Sequence, residues 1–167
     1  MTICIIDTSV FCNVLDIPHK NQHRTEAKTA LRQYIGEGYA LLLPLAAIFE
    51  TGTHISHLSD GRLRRETAQR FVEQVRLAVA GLAPWRTTPI PRPEDLATWL
   101  DEFPEQAMRG LSLADLSMIK LFEQQCALNP ARRVVTTYRR NFPAEAERIA
   151  AELVRRIAFR RVEEPAQ

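Results

Sequence analysis

Hydrophobic residues along the chain fall into short continuous runs separated by longer amphipathic stretches. The first run, ICII, covers residues 3–6, and the second, YALLL, covers residues 39–43. Continuous runs of this length are typical of strands buried on both faces of a sheet. Residues 133–137 predict a further strand, and residues 87–90 predict an edge strand because the surrounding segment is rich in proline.

Between these runs, apolar residues recur at the spacing of one helix face. The predicted helices are a short one that ends at Leu15, followed by residues 25–35, 45–58, 63–82, 94–103, 113–128 and 144–155, and a last strand is expected near residues 157–162. Strands that alternate with helices favour a parallel sheet, because parallel neighbours need a crossover connection. The predicted fold class is therefore α/β, a three-layer α/β/α sandwich with a mostly parallel central sheet.

The composition is that of a globular protein with a hydrophobic core. The 167 residues are 46% hydrophobic and 25% charged, with a net charge of +2, which predicts a single domain over residues 1–167. The three cysteines show no metal-ligand or disulfide spacing. No signal peptide and no run long enough to cross a membrane can be recognised, so a cytoplasmic location is expected.

Arginine dominates the basic residues: of the 22 basic side chains only three are lysine. Residues 132–161 hold nine arginines against three glutamates, a local excess of six positive charges. The planar guanidinium suits phosphate groups, so this part of the chain could face nucleic acid. The same bias could also reflect genomic base composition, and the sequence leaves both interpretations open.

Three acidic residues stand in positions that solvation alone explains poorly. Asp7 directly follows the first strand, Glu50 lies in the helix after the second strand, and Asp115 lies at the start of the helix over residues 113–128. Each has an ordinary structural explanation as well. Asp7 could cap a helix, Glu50 could be an exposed helix residue, and Asp115 could form a capping pair with Ser112.

The combination of the three carboxylates predicts more than each one alone. Ligands collect at the carboxyl ends of parallel strands, where Asp7, Glu50 and Asp115 would repel one another without compensation. A hard divalent cation, Mg²⁺ or Mn²⁺, would supply it, because both ions prefer oxygen ligands. Such an ion activates water and phosphodiesters for hydrolysis. An acidic metal cluster beside arginines therefore predicts a nuclease.

Four short segments follow one another along the chain: ICIIDTSV at residues 3–10, LPLAAIFE at residues 43–50, GLSLADLSMI at residues 110–119 and VVTT at residues 134–137. In this order they resemble the motifs of the PIN domain family. The resemblance implies a PIN-like sandwich and a Mg²⁺- or Mn²⁺-dependent endoribonuclease in which Asp7, Glu50 and Asp115 are the catalytic and metal-binding residues. It also implies the toxin of a bacterial toxin–antitoxin module, with RNA as substrate, a small antitoxin as partner, and a homodimer.

The chain departs from the family pattern after the fourth strand, where members commonly carry a further Asp or Asn. Tyr138 stands at the nearer position and Asn141 at the later one, so the site has one carboxylate fewer. This leaves a one-metal enzyme, a weak enzyme, or a degenerate domain that binds RNA or a protein without cleavage. The expected supporting residues are Ser9, Thr136 and Asn141, and the expected RNA contacts are Arg139 and Arg140.

Other interpretations of the same residues agree less well with the sequence. A haloacid-dehalogenase-type phosphatase expects an Asp where Ser9 stands, and a DxSxS adhesion module expects a Ser where Phe11 stands. Glu50 with His54 and His57 could be drawn as a zinc site, although the spacing matches no strong motif. Residues 59–109 are long for a compact toxin and could form a helical insertion within the domain.

Overall fold

Four short strands form an all-parallel sheet at the centre of the fold. In the computed structural model, which describes residues 2–137, the sheet has the order β3-β2-β1-β4. Ile5 of β1 pairs with Leu42 of β2 on one side and with Thr136 of β4 on the other. The strands are β1 (Ile3–Ile5), β2 (Ala40–Leu43), β3 (Trp85–Thr87) and β4 (Val134–Thr136).

Helices connect successive strands, as parallel pairing requires. The described helices are α1 (Thr8–Leu15), α2 (Arg24–Gly36), α3 (Leu45–Ser56), α4 (Gly61–Val79), α5 (Pro93–Met108) and α6 (Leu113–Leu128). The predicted α/β class with its parallel sheet is thus confirmed. The helix and strand predicted over residues 144–155 and 157–162 lie outside the described residues.

Side chains of residues 3–6, in β1 and directly after it, point alternately to the two faces of the sheet. Cys4 and Ile6 belong to the main hydrophobic cluster, which takes side chains from α1, α2, α3 and α4. Ile3 and Ile5 are equally buried but lie outside that cluster. The main cluster is thus covered by α1–α4, whereas α6 packs against β4 and α5 packs against α6. Both faces of the sheet are covered, which explains why the strands read as continuous apolar runs.

The main cluster is centred on Phe11 of α1. This side chain is 1% exposed and makes edge-to-face contacts with Phe71 of α4 and Trp85 of β3. Such aromatic pairs add to the stabilisation from buried area. Phe11 therefore packs α1 against the edge strand β3 and against α4, the longest of the described helices.

Several boundaries differ from the sequence prediction, and two of these differences have a clear structural reason. The edge strand was expected at residues 87–90 and is found at Trp85–Thr87, because the buried Trp85 anchors it in the core and prolines follow it. Helix α5 was expected to end at residue 103 but continues through Pro104 to Met108. An internal proline removes one helical hydrogen bond and crowds the carbonyl four residues before it, and the packing of α5 against α6 offsets this cost.

Residues 59–109 do not form a purely helical segment. They contain α4, the edge strand β3, which pairs with β2, and α5. The segment therefore supplies part of the sheet. The described residues belong to one compact unit that ends at Thr137, and the single domain over residues 1–167 stays a prediction.

Candidate functional site at the carboxyl ends of the strands

Asp7 and Glu50 lie at the same edge of the sheet. β1 and β2 are parallel neighbours, Asp7 comes just after the end of β1, and Glu50 lies in the second turn of α3, which begins two residues after β2. Both carboxylates also act on one neighbouring group. Burial is the main reason why the pKa of Cys12 is raised, and the negative charges of Asp7 and Glu50 both raise it further. The topology has therefore brought two of the three predicted carboxylates to one place.

The Asp7 side chain is 4% exposed and is the N-cap of α1. Its Oδ1 accepts a hydrogen bond of 2.8 Å from the Val10 backbone N–H. The Ser9 hydroxyl donates to Oδ1 at 3.0 Å or to Oδ2 at 2.9 Å. Asp7 thus has the capping role that the sequence allowed, and Ser9 is in direct contact with it, where a supporting residue was expected.

Thr137 is a site residue that the sequence interpretation missed. Its hydroxyl accepts a 2.8 Å hydrogen bond from the Asp7 backbone N–H and lies 3.4 Å from Asp7 Oδ1. The expected supporting residue was its neighbour Thr136, which pairs with Ile5 inside the ladder. The signal that could have found Thr137 is its position: it directly follows β4, Asp7 lies two residues after β1, and the two strands are neighbours.

Burial disfavours a charged Asp7. Loss of water raises the pKa of Asp7 above its usual value of 3.8, and hydrogen bonds from Val10, Ser9 and Thr137 only partly oppose this. No ion pair with a Lys or Arg side chain joins Asp7 or Glu50 within residues 2–137. The site therefore holds a buried carboxylate whose negative charge lacks a cationic partner in the part of the chain that is described.

Glu50 is held by the residue that follows Asp7. The Thr8 hydroxyl donates a hydrogen bond to Glu50 Oε2, while Oε1 accepts no hydrogen bond from another described residue. Thr8 is the first residue of α1, so the same turn that places Asp7 also orients Glu50. Sequence analysis did not single out Thr8.

Asp115 forms the capping box of α6. Its Oδ2 accepts hydrogen bonds from the Ser112 backbone N–H at 2.9 Å and from the Ser112 hydroxyl at 2.7 Å. The Asp115 backbone N–H is in turn bonded to the Ser112 hydroxyl. Helix α6 packs against α3, the helix of Glu50. The capping pair that the sequence allowed is thus present, and a role for Asp115 as a metal ligand stays a prediction.

Within residues 2–137, no group of three or more His, Cys, Asp or Glu side chains is close enough together to hold a metal ion. The expected cluster of Asp7, Glu50 and Asp115 is thus not assembled there, and neither is the zinc site drawn from Glu50 with two histidines. Burial lowers the pKa of one of these, His54. The predicted residues Tyr138, Arg139, Arg140 and Asn141 lie outside the described part of the chain.

The described helices include none that combines the length and the apolar character needed to cross a membrane. Comparison with known proteins adds no relative: no protein-family model matches the chain, and no curated protein and no solved structure matches it either.

Proposed function

We propose that this chain is a divalent-metal-dependent endoribonuclease that hydrolyses RNA phosphodiesters at the carboxyl ends of β1 and β2. The observation that carries the proposal is the buried Asp7 carboxylate beside Glu50. Its burial raises the pKa, and no described Lys or Arg side chain compensates its charge. A buried anion of this kind is costly unless a counter-charge binds to it. Perturbed carboxyls of this kind are typical of functional sites.

The oxygen atoms of Asp7 and Glu50 fit a hard divalent cation. Within residues 2–137, Asp7 Oδ2 accepts a hydrogen bond only from Ser9, and Glu50 Oε1 accepts none, so both oxygens keep lone pairs for a ligand. Mg²⁺ commonly takes one or two carboxylates and completes its shell with water and substrate phosphate. When bound, such an ion neutralises phosphate charge and lowers the pKa of a coordinated water. The absence of a third carboxylate among these residues is therefore compatible with Mg²⁺ or Mn²⁺.

The neighbouring hydroxyl groups would keep both carboxylates oriented. Ser9 and Thr137 donate to Asp7, and Thr8 donates to Glu50. Side chains whose rotamers are fixed in advance lose less freedom when a ligand binds, which favours a metal at this place. Asp115 would join the site only if its carboxylate could cap α6 and bind the metal at the same time.

The physiological setting in this proposal is that of a toxin in a bacterial toxin–antitoxin module. It would act in the cytoplasm, as a homodimer, with a small antitoxin that covers the acidic edge. Arg139 and Arg140 would contact RNA phosphates, and Asn141 would support the site through its amide oxygen. This physiological setting and these residue roles rest on the resemblance of the sequence motifs to PIN domains.

The test is cleavage of an end-labelled RNA of mixed sequence with Mg²⁺ or Mn²⁺, together with Mn²⁺ titration by calorimetry. Asp7→Asn and Glu50→Gln should each reduce kcat/KM at least about 100-fold, since even outer partners of metal ligands cost 10–100-fold, and should abolish saturable Mn²⁺ binding. Glu37→Gln is the matched control, because Glu37 is an exposed carboxylate after α2 that contacts Gln33. It should retain both properties. Asp115→Asn tests directly whether the third carboxylate contributes.

The main alternative is a domain that binds RNA or a protein without cleaving it. The observation that favours it is the missing three-ligand group within residues 2–137. In that case the wild-type chain would bind RNA but leave it intact in Mg²⁺ and Mn²⁺, and RNA affinity would survive Asp7→Asn. That result would contradict the proposed ribonuclease.

A further inference from the structure

A groove of about 700 Å³, lined by both charged and apolar side chains, lies where the end of α1 and the start of α2 meet α4. It does not include Asp7, Glu50 or Asp115. Its charged side chains are Asp16, Arg24, Lys28, Arg70 and Glu73. We call it the basic groove, because its three cations outnumber its two carboxylates.

Asp16 contacts both arginines of the basic groove. Its backbone is in the left-handed region with φ 59°, a conformation that Asp tolerates better than most residues. Its carbonyl oxygen accepts a 3.4 Å hydrogen bond from Arg70 Nη2. Its carboxylate accepts a 2.7 Å bond from Asn21 and lies 3.4 Å from Arg24 Nε. The turn after α1 thus gathers guanidinium groups from α2 and α4.

The cations of the basic groove remain available to an incoming anion. The Arg24–Asp16 pair is long, and both side chains are about 40% exposed, so most of the five guanidinium donors stay open to other acceptors. Lys28 is half-buried, one turn after Arg24 on α2, and forms no ion pair with a carboxylate in residues 2–137. A partly buried lysine without such a partner favours binding of a negative group.

The lining indicates which anion fits. Two arginines and a lysine match phosphate oxygens, and the volume exceeds that of a single phosphate group. None of the lining residues is aromatic, so bases would find no side chain on which to stack. Contacts to phosphate alone position a nucleic acid without reading its sequence.

We infer that the basic groove binds the phosphate backbone of single-stranded RNA, without sequence preference, outside the acidic edge. The inference deepens the proposed function, on which it rests for the choice of RNA as ligand. The groove would hold the substrate strand while its scissile phosphate lies elsewhere.

The test measures anisotropy of a labelled single-stranded RNA on the Asp7→Asn chain, which prevents cleavage, at several salt concentrations. Lys28→Gln with Arg70→Gln should lower the slope of log K against log salt by about 1.4, since each phosphate contact on a single strand contributes about 0.7. At 0.1 M salt this corresponds to a loss of affinity of roughly 25-fold. Gln74→Lys adds a cation to the lining and should raise both affinity and slope.

The control is Arg62→Gln with Arg65→Gln, which removes the same charge from the exposed start of α4 outside the groove. It should leave the salt slope unchanged. Equal losses of RNA affinity in both double variants, or no loss in either, would overturn the inference. Displacement of the RNA by poly-glutamate at equal charge concentration would also overturn it, because it would indicate an acidic protein partner. Cleavage by the wild-type chain is scored separately, so failure of catalysis and failure of the groove are distinguishable.

Discussion

Replacing Asp7 by Asn should stabilise the protein in the absence of metal at neutral pH. Burial raises the pKa of Asp7 above its usual value of 3.8 in the folded state. A carboxyl with a raised pKa binds its proton more tightly when folded, so the wild type loses stability as the pH rises from about 3.8 through the folded pKa. Asn keeps the shape and the capping oxygen but carries no charge. Its advantage should therefore be greatest at pH 7 and vanish below the usual Asp value.

A second substitution separates the charge from the cap. Asp7→Ala also removes the burial cost but loses the hydrogen bonds from Val10 and Ser9. Loss of an N-cap costs about 1 kcal/mol, which for a chain of this size is a fall in Tm of about 2–4 °C. The expected order of stability at pH 7 is Asp7→Asn first, with Asp7→Ala below it by that amount.

Thermal unfolding by circular dichroism between about pH 3 and pH 8, with EDTA, measures this order and its pH dependence. Addition of Mn²⁺ should then raise the Tm of the wild type and leave that of Asp7→Asn unchanged, because only the former has the full ligand set. An Asp7→Asn chain that is less stable than the wild type by 1 kcal/mol or more at pH 7 would refute the argument from burial. It would mean that the ionised side chain is chiefly a structural cap.

Further predictions concern the core, the thiols and the α5–α6 contact. Phe11→Ala should cost about 3–5 kcal/mol in urea unfolding, because it empties the centre of the main cluster. Burial, and next the charge of Asp7, raises the pKa of Cys4 to about 11, so in native protein at pH 8 iodoacetamide should modify the half-buried Cys126 well before Cys4. Lys120 contacts Glu102 at 2.6 Å and Glu123 at 3.3 Å; Lys120→Met should lower stability by up to about 1 kcal/mol at low salt and less at high salt. Burial of Lys120 disfavours its charged form, but the contacts with Glu102 and Glu123 outweigh this and raise its pKa. The stabilisation from these ion pairs should therefore persist below about pH 10.5 and disappear as the pH rises through the pKa of Lys120 in the folded state.

The sequence alone predicted the fold class and most of the elements. Continuous apolar runs identified β1 and β2, because strands covered on both faces need hydrophobic side chains at every position. Helical spacing gave α6 over residues 113–128, as found. Boundaries were missed where long-range packing overrides local preference. Trp85 anchors the edge strand earlier than expected, and α5 passes Pro104 with the support of α6.

The candidate site also contains residues that the sequence predicted and residues that it missed. The sequence placed Asp7 and Glu50 at one edge, since parallel neighbours end on the same side of a sheet. It did not identify Thr8 or Thr137, because their hydroxyl contacts depend on the register of strands and helices that are far apart in the chain. The capping role of Asp115 could be predicted from the local sequence, because Ser112 lies three residues before it.

What the sequence determined by itself is therefore whatever depends on spacing within one element: strands, helix faces, caps, and the residues that end each strand. Only the tertiary structure decided which side chains meet across elements. The basic groove illustrates this, because Arg24 and Arg70 are 46 positions apart in the chain and yet both contact Asp16. Contacts of this kind depend on the packing of whole helices, and hydrophobic periodicity in one segment carries no information about them.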